Sequence, residues 1–232
     1  MLQQWQANET PLAVQAHEQV ADHYQIPAIN LARQVAHSIS SGDVTWELFG
    51  GTHPKPFGNR IAARMIDRLM TIAWAAESLD QAEDHRLPAP IDPNSYFRGR
   101  FIEISSAKLS GDATVKIPDW KAIGGGFRER FGNTKLLCLE GTGGEIELRF
   151  TGTASGAYVL AGPDAAMVTS SVDGSPFEVI DLYHPFSEGL HYPRTVMFAT
   201  DLAPGEHTLK LRVDISRPSD RQAARILKFV AN

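Results

Sequence analysis

Glu145-Ile146-Glu147-Leu148-Arg149-Phe150 alternates polar and apolar residues with a period of two. Successive side chains of a strand point to opposite faces, so Ile146, Leu148 and Phe150 share one face. His207-Thr208-Leu209-Lys210-Leu211-Arg212-Val213 repeats the pattern with Leu209, Leu211 and Val213. Outward from these two, strands are expected at Gly99–Ile104, Thr114–Ile117, Lys135–Glu140, Ala157–Ala161, Met167–Val172, Phe177–Leu182, Thr195–Ala199 and Arg225–Val230. Gly141-Thr142-Gly143-Gly144, Asp173-Gly174 and Ala203-Pro204-Gly205 mark turns between them. About ten short strands with no helices among them predict a β-sandwich, a jelly roll in the first instance, over 96–232.

The chain upstream of residue 80 has a different period. Thr10-Pro11 fits a helix N-cap with proline at the first helical position. Leu12, Val14, Ala16, Val20, Ala21 and Tyr24 then supply an apolar helix face. Ile26-Pro27-Ala28-Ile29-Asn30-Leu31 reads as a short buried strand, and Ala32 to Ser40 as a second helix stopped by Ser41-Gly42. Trp46, Leu48 and Phe49 anchor a loop, and a last helix is expected from about Phe57 to Glu77. The expected order is helix, strand, helix, loop, helix. A strand buried on both faces needs neighbours for its backbone groups, and residues 1–80 offer none. This segment is therefore not expected to fold as an autonomous domain. Pro88, Pro90 and Pro93 break any helix, which makes 81–95 a linker between segments 1–80 and 96–232.

Composition bounds the function. Hydrophobic content of 43% and charged content of 21% are ordinary for a globular protein. A net charge of −5 leaves no basic footprint for nucleic acid. No run approaches the ~20 apolar residues of a membrane span, and residues 1–20 lack the pattern of a signal peptide. The single cysteine, Cys138, sits in Leu136-Leu137-Cys138-Leu139 and reads as a small buried hydrophobe. His17, His23 and His37 fall on helical surfaces without zinc spacing and read as solvated, so no metal is implied.

The sharpest chemical feature is Phe49-Gly50-Gly51-Thr52-His53-Pro54-Lys55-Pro56-Phe57-Gly58-Asn59-Arg60. A general base must titrate near neutral pH and sit where substrate can approach, and His53 on a loop ahead of a helix meets both demands. Taken alone, a loop histidine that caps a helix or faces water is the plainer account. With the helix and strand before it, over about residues 12–75, this stretch resembles the histidine loop of SGNH (GDSL-type) esterases. That resemblance implies the C-terminal part of a flavodoxin-like α/β domain, with His53 as the base that activates a serine. The family carries Asp-x-x-His, but position 50 is glycine; Glu47 or Asp43 would have to orient the imidazole, unless a Ser-His dyad suffices. The family's Gly-Asp-Ser block and its oxyanion-hole motifs have no counterpart. Ser41-Gly42-Asp43 and Ser110-Gly111-Asp112 hold the letters in the wrong order. The expectation is that the serine lies outside this chain, in a missing N-terminal segment, and that the chain alone is inactive.

The strand-rich half is similar to the jelly-roll module attached to SGNH carbohydrate esterases. The likeness runs through Ile146–Ala154, Leu160–Ala165, Val172-Asp173-Gly174, Asp181–His184, Gly189–Arg194 and Pro204–Leu209. Within it, 183–194 reads as one long loop, and loops of ~12 residues in a compact domain are often functional. Tyr183, His184, His191, Tyr192 and Arg194 are its candidate sugar contacts, set against a loop that merely packs on the N-terminal segment. Trp120 reads as core. The resemblance implies an acylated carbohydrate substrate, no cofactor, and an exported protein. Two alternatives stand beside it: a non-catalytic carbohydrate-binding jelly roll with a vestigial hydrolase segment, and a scaffold supporting a neighbouring catalytic unit.

Overall fold

The computed structural model describes residues 10–75, 86–93, 95, 98–141, 143–214 and 220–232. The chain divides into two compact units, Met1–Pro93 and Asn94–Asn232. Together they give a few helices followed by two antiparallel sheets.

The helical unit contains α1 (Leu12–His23), α2 (Leu31–Ser40), the one-turn α3 (Trp46–Phe49) and α4 (Pro56–Trp74). Its caps follow from local chemistry. Asn30 Oδ1 accepts from Arg33 N at 2.8 Å, and Thr45 Oγ1 accepts from Leu48 N at 3.0 Å, each satisfying an orphan N–H of a first turn. Pro56 opens α4 at a position where its missing N–H costs nothing. Pro11, rather than Thr10, is the N-cap of α1, and no side chain bonds there. The core is small: Val35, Val44 and Phe49, with Leu31, Ile39, Phe57 and Ile61 packed on it. Leu12, Ile26, Ile66, Ile72 and Trp74 remain exposed.

The strand expected at Ile26–Leu31 is not formed. Residues 26–30 carry no ladder, Ile26 is 55% exposed, and Leu31 begins α2. The reason is the one that made the strand costly: an extended segment needs a paired neighbour, and the described part of this unit has none. Asn30 serves as a helix cap instead. The expected last two residues of the final helix, Ala76 and Glu77, lie outside the described residues, as do 81–85 and 94 of the expected linker.

The second unit is a two-sheet sandwich. Its strands are β1 (Arg100–Ile102), β2 (Lys108–Ser110), β3 (Thr114–Lys116), β4 (Leu136–Glu140), β5 (Glu145–Gly152), β6 (Ser155–Ala161), β7 (Met167–Val172), β8 (Glu178–Asp181), β9 (Tyr192–Ala199), β10 (Gly205–Val213) and β11 (Ala223–Ala231). One sheet runs β3-β4-β11-β6-β9, with β1 also on β11; the other runs β2-β5-β10-β7-β8. Leu209 pairs Leu148, and Leu211 pairs Ile146. This register sends all four inward against Leu137, Leu139, Val159, Ile226 and Phe229 of the facing sheet. The first sheet also buries its outer face, where Phe131, Leu136, Cys138, Leu160 and Leu227 cluster under Trp120 and Tyr158. Burial pushes the Cys138 thiol up to about 11, so it behaves as a hydrophobe. β2 escaped the sequence reading because three exposed residues carry no periodic signal. β9 begins at Tyr192, so the expected loop 183–194 is shorter at its far end.

Leu209 is fully buried at the centre of the core. Leu209→Ala is expected to cost about 2–5 kcal/mol in denaturant unfolding, the range for a large-to-small change in a packed core.

Candidate functional site

The loop carrying His53 is built by close approach of backbone. Lys55 N donates to Phe49 O at 2.9 Å, closing the loop on itself. Gly50 has φ 114°, and a Cβ there would stand 2.2 Å from Lys55 N. Position 50 therefore cannot carry any side chain in this loop, aspartate included. Gly58, in the first turn of α4, brings its backbone against Phe49: a Cβ would lie 2.4 Å from Phe49 O. Phe49 is in turn stacked on Trp46, with ring centroids 5.5 Å apart. Pro54 and Pro56 restrict φ on either side of Lys55. The outcome is a stiff loop with an exposed imidazole at its tip.

No carboxylate orients that imidazole among the described residues. Asp43 Oδ2 accepts from Ser41 Oγ at 2.6 Å. Glu47 sits in the first turn of α3, where its charge complements the free N–H groups. Neither is hydrogen-bonded to His53, so the two expected orienting acids do not serve that role here.

The second group of expected residues lies around the turn between β8 and β9, and the structure separates them. His184, Phe186 and Tyr192 form one ring cluster, with centroids 5.1 Å apart for His184–Phe186, 5.1 Å for His184–Tyr192 and 5.4 Å for Phe186–Tyr192. Arg194 braces the same turn from β9, donating to Tyr183 O at 3.0 Å. The Tyr183 ring lies beneath the Arg221 guanidinium, which also bonds both Asp181 oxygens. Tyr183 and Arg194 thus hold the turn's frame.

His191 is a correction to the sequence reading. It is 0% exposed, so it is not a surface sugar contact. Its Nε2 donates to Gly124 O at 3.0 Å, its backbone N donates to Gly126 O at 2.8 Å, and Trp120 meets its ring edge-on. Gly162 leaves room for the ring; a Cβ there would stand 2.2 Å from Nδ1. His191 pins the long β3–β4 connection to the turn before β9. Burial lowers its pKa, and the Arg225 charge lowers it further. Arg225 is itself buried, in a bidentate pair with Asp164 at 2.8 Å and a contact to Glu140. Burial would raise the Asp164 carboxyl, but the Arg225 hydrogen bonds and charge together hold it below its ordinary value. This cluster ties β11 to β4 and to the β6–β7 connection. His17, His23 and His37 are exposed, and Trp120 packs on the outer core.

Two further residues were present in the sequence only as turn letters. His207 Nδ1 lies 2.6 Å from Asp173 Oδ2, and its Nε2 lies 2.8 Å from Ala203 O. Both partners are acceptors, so only the imidazolium satisfies both. Phe186 was missed because Pro-Phe-Ser gives no sign of which way the ring points. A cleft of about 570 Å³, lined by Val172, Ile180, Met197, Phe198 and Leu202, opens elsewhere on the sandwich, and none of the three clustered rings lines it. Among the described residues no group of three or more His, Cys, Asp or Glu is placed to hold a metal, and no helix is long and apolar enough to cross a membrane.

No protein-family model matches the chain, and no curated protein matches it. Its fold is similar to that of a two-domain esterase active on acetylated mannans, at 16% identity and a TM-score of 0.68. The match covers 93% of this chain and 58% of that one, so the chain spans little more than half the esterase's length. The same esterase co-crystallised with mannopentaose gives a TM-score of 0.67, again at 16% identity, over 93% of this chain and 57% of that one. A family two carbohydrate esterase from Cellvibrio japonicus overlaps more loosely, at 12% identity and a TM-score of 0.40 over 57% of this chain and 32% of that one. The likeness to the two-domain esterase is one of fold.

The pKa values of His191 and His207 are shifted in opposite directions. The Asp173 hydrogen bond raises the His207 pKa. Its stabilisation is complete below about 6.5, the ordinary histidine value, and is lost as pH rises through the folded pKa. The lowered pKa of His191 gives stabilisation that is complete above about 6.5 and is lost as pH falls. His207→Gln is therefore expected to destabilise most at mildly acidic pH and progressively less on raising the pH. Urea unfolding across the range, with ring ¹⁵N shifts for the protonation state, checks this.

Proposed function

We propose that this chain is the histidine-bearing part of an SGNH-type serine esterase acting on acylated carbohydrate. In this reading the segment 1–80 belongs to the hydrolase domain, 81–95 links it, and 96–232 is a jelly-roll module that faces the glycan. The serine comes from sequence outside these residues. It attacks an ester carbonyl, His53 takes its proton, and water then releases the acyl group. The observation that carries the reading is an exposed histidine, held on a backbone-locked loop ahead of a helix, in a chain that shares its fold with a carbohydrate esterase.

The loop supports a dyad more than a triad. A side chain at position 50 would clash with Lys55 N, and the Asp43 carboxylate is bonded to Ser41. The base would rely on loop stiffness for its orientation. The same observation favours a second reading, a module that binds carbohydrate without hydrolysing it, because an unsupported imidazole is a weaker base.

The gene product from its native cell should release acetate from an acetylated polysaccharide, and the isolated 232-residue chain should not. His53→Ala in the active protein is expected to lower kcat by about 10²–10⁴-fold, the usual share of a general base. Acetate release that is indifferent to His53→Ala would remove His53 from the mechanism. Binding of the polysaccharide without any acetate release would select the second reading.

A further inference from the structure

The turn His184-Pro185-Phe186-Ser187 is closed by a reciprocal pair of hydrogen bonds. Phe186 N donates to His184 Nδ1 at 3.2 Å, and His184 N donates to Ser187 Oγ at 3.2 Å. Pro185 sets φ at the first position of the turn, and Ser187 is fully buried beneath it. These restraints hold Phe186 outward, 64% exposed, although its backbone is fixed at both ends. The ring is not isolated. It leans on His184 and Tyr192, which stack on each other at an interplanar angle of 21°.

The two half-buried rings also present polar atoms. Among the described residues, neither His184 Nε2 nor the Tyr192 hydroxyl has a hydrogen-bond partner in the protein, and neither is a buried unsatisfied atom, so both reach solvent. Two cations beside the turn are engaged by the protein, Arg194 with backbone carbonyls and Arg221 with Asp181. Exposed Glu188 adds the only formal charge of the turn itself, and it is negative.

We propose that Phe186, His184 and Tyr192 form a stacking subsite for one sugar ring of a neutral polysaccharide. A pyranose has an apolar C–H face and a rim of hydroxyls. The face would lie on the exposed Phe186 ring, and the hydroxyls would meet the Tyr192 hydroxyl and His184 Nε2. Exposed Glu188, with Arg194 and Arg221 held by protein acceptors, favours a neutral glycan over an acidic one. Rigidity of the turn matters because its ordering is complete before the ligand arrives. The subsite rests on the reading that the chain acts on carbohydrate, but it requires no ester cleavage.

Affinity electrophoresis of the 232-residue chain in gels containing deacetylated glucomannan, xylan or polygalacturonate tests it. Retardation by a neutral polysaccharide is expected, with Phe186→Ala weakening binding by about tenfold or more and Tyr192→Phe by a smaller factor. The unfolding temperature of Phe186→Ala should match that of the parent chain, since the ring is exposed. No retardation by either neutral polysaccharide, equal retardation of Phe186→Ala, or preference for polygalacturonate would overturn the subsite. No hydrolysis is read in this experiment, so failure of the His53 chemistry would leave a positive result standing, and failure of the subsite would leave His53 testable.

Discussion

The ladder between β5 and β10 is the constraint on which the sandwich depends. Its register runs unbroken from Gly205↔Gly152 to Arg212↔Glu145. Because side chains alternate, this one register decides that Ile146, Leu148, Leu209 and Leu211 all face the same core. A slip of one residue would turn them to solvent and bring Glu147 and Lys210 inside. The same ladder places His207 where Asp173 of the β7–β8 turn and Ala203 of the β9–β10 connection can both reach its ring. Packing and loop geometry are therefore consequences of one pairing.

The helical unit shows what happens where pairing is not available. Ile26–Asn30 is as apolar as many strands, yet it remains unpaired and partly exposed. Its helices bury a handful of side chains and leave Ile66, Ile72 and Trp74 exposed on α4 or just at its end. Apolar surface of this kind is what a larger domain would cover, which accords with the proposal that more of a hydrolase accompanies this segment.

Strands were legible in the sequence because period two and glycine turns are local signals. Met167–Val172 forms at its expected bounds, and Glu145–Phe150 lies within β5. Ile26–Leu31 was misread because a short apolar run gives the same signal whether or not a partner exists, whereas Asn30, a good cap residue, carried the opposing signal. The site was legible at one level only. Eight histidines look alike in a sequence, yet three of them occupy different physical states. His53 is exposed and unsupported. His191 is buried; burial and then the Arg225 charge lower its pKa, and its Nδ1 has no hydrogen-bond partner among the described residues. His207 faces two acceptors. Which state a histidine adopts depends on groups 34 or 67 residues distant, as for His207 with Asp173 and His191 with Gly124, and no local motif encodes that.

The chain pairs a stiff, exposed histidine loop with a sandwich that presents an aromatic turn. If His53 activates a serine from outside this chain, as proposed, that serine is open to labelling with a fluorophosphonate on the gene product from its native cell, followed by peptide mapping. A single modified serine outside these 232 residues is expected, with labelling strongly reduced in His53→Ala. A modified serine within them, or labelling that His53→Ala leaves unchanged, would remove His53 from that role.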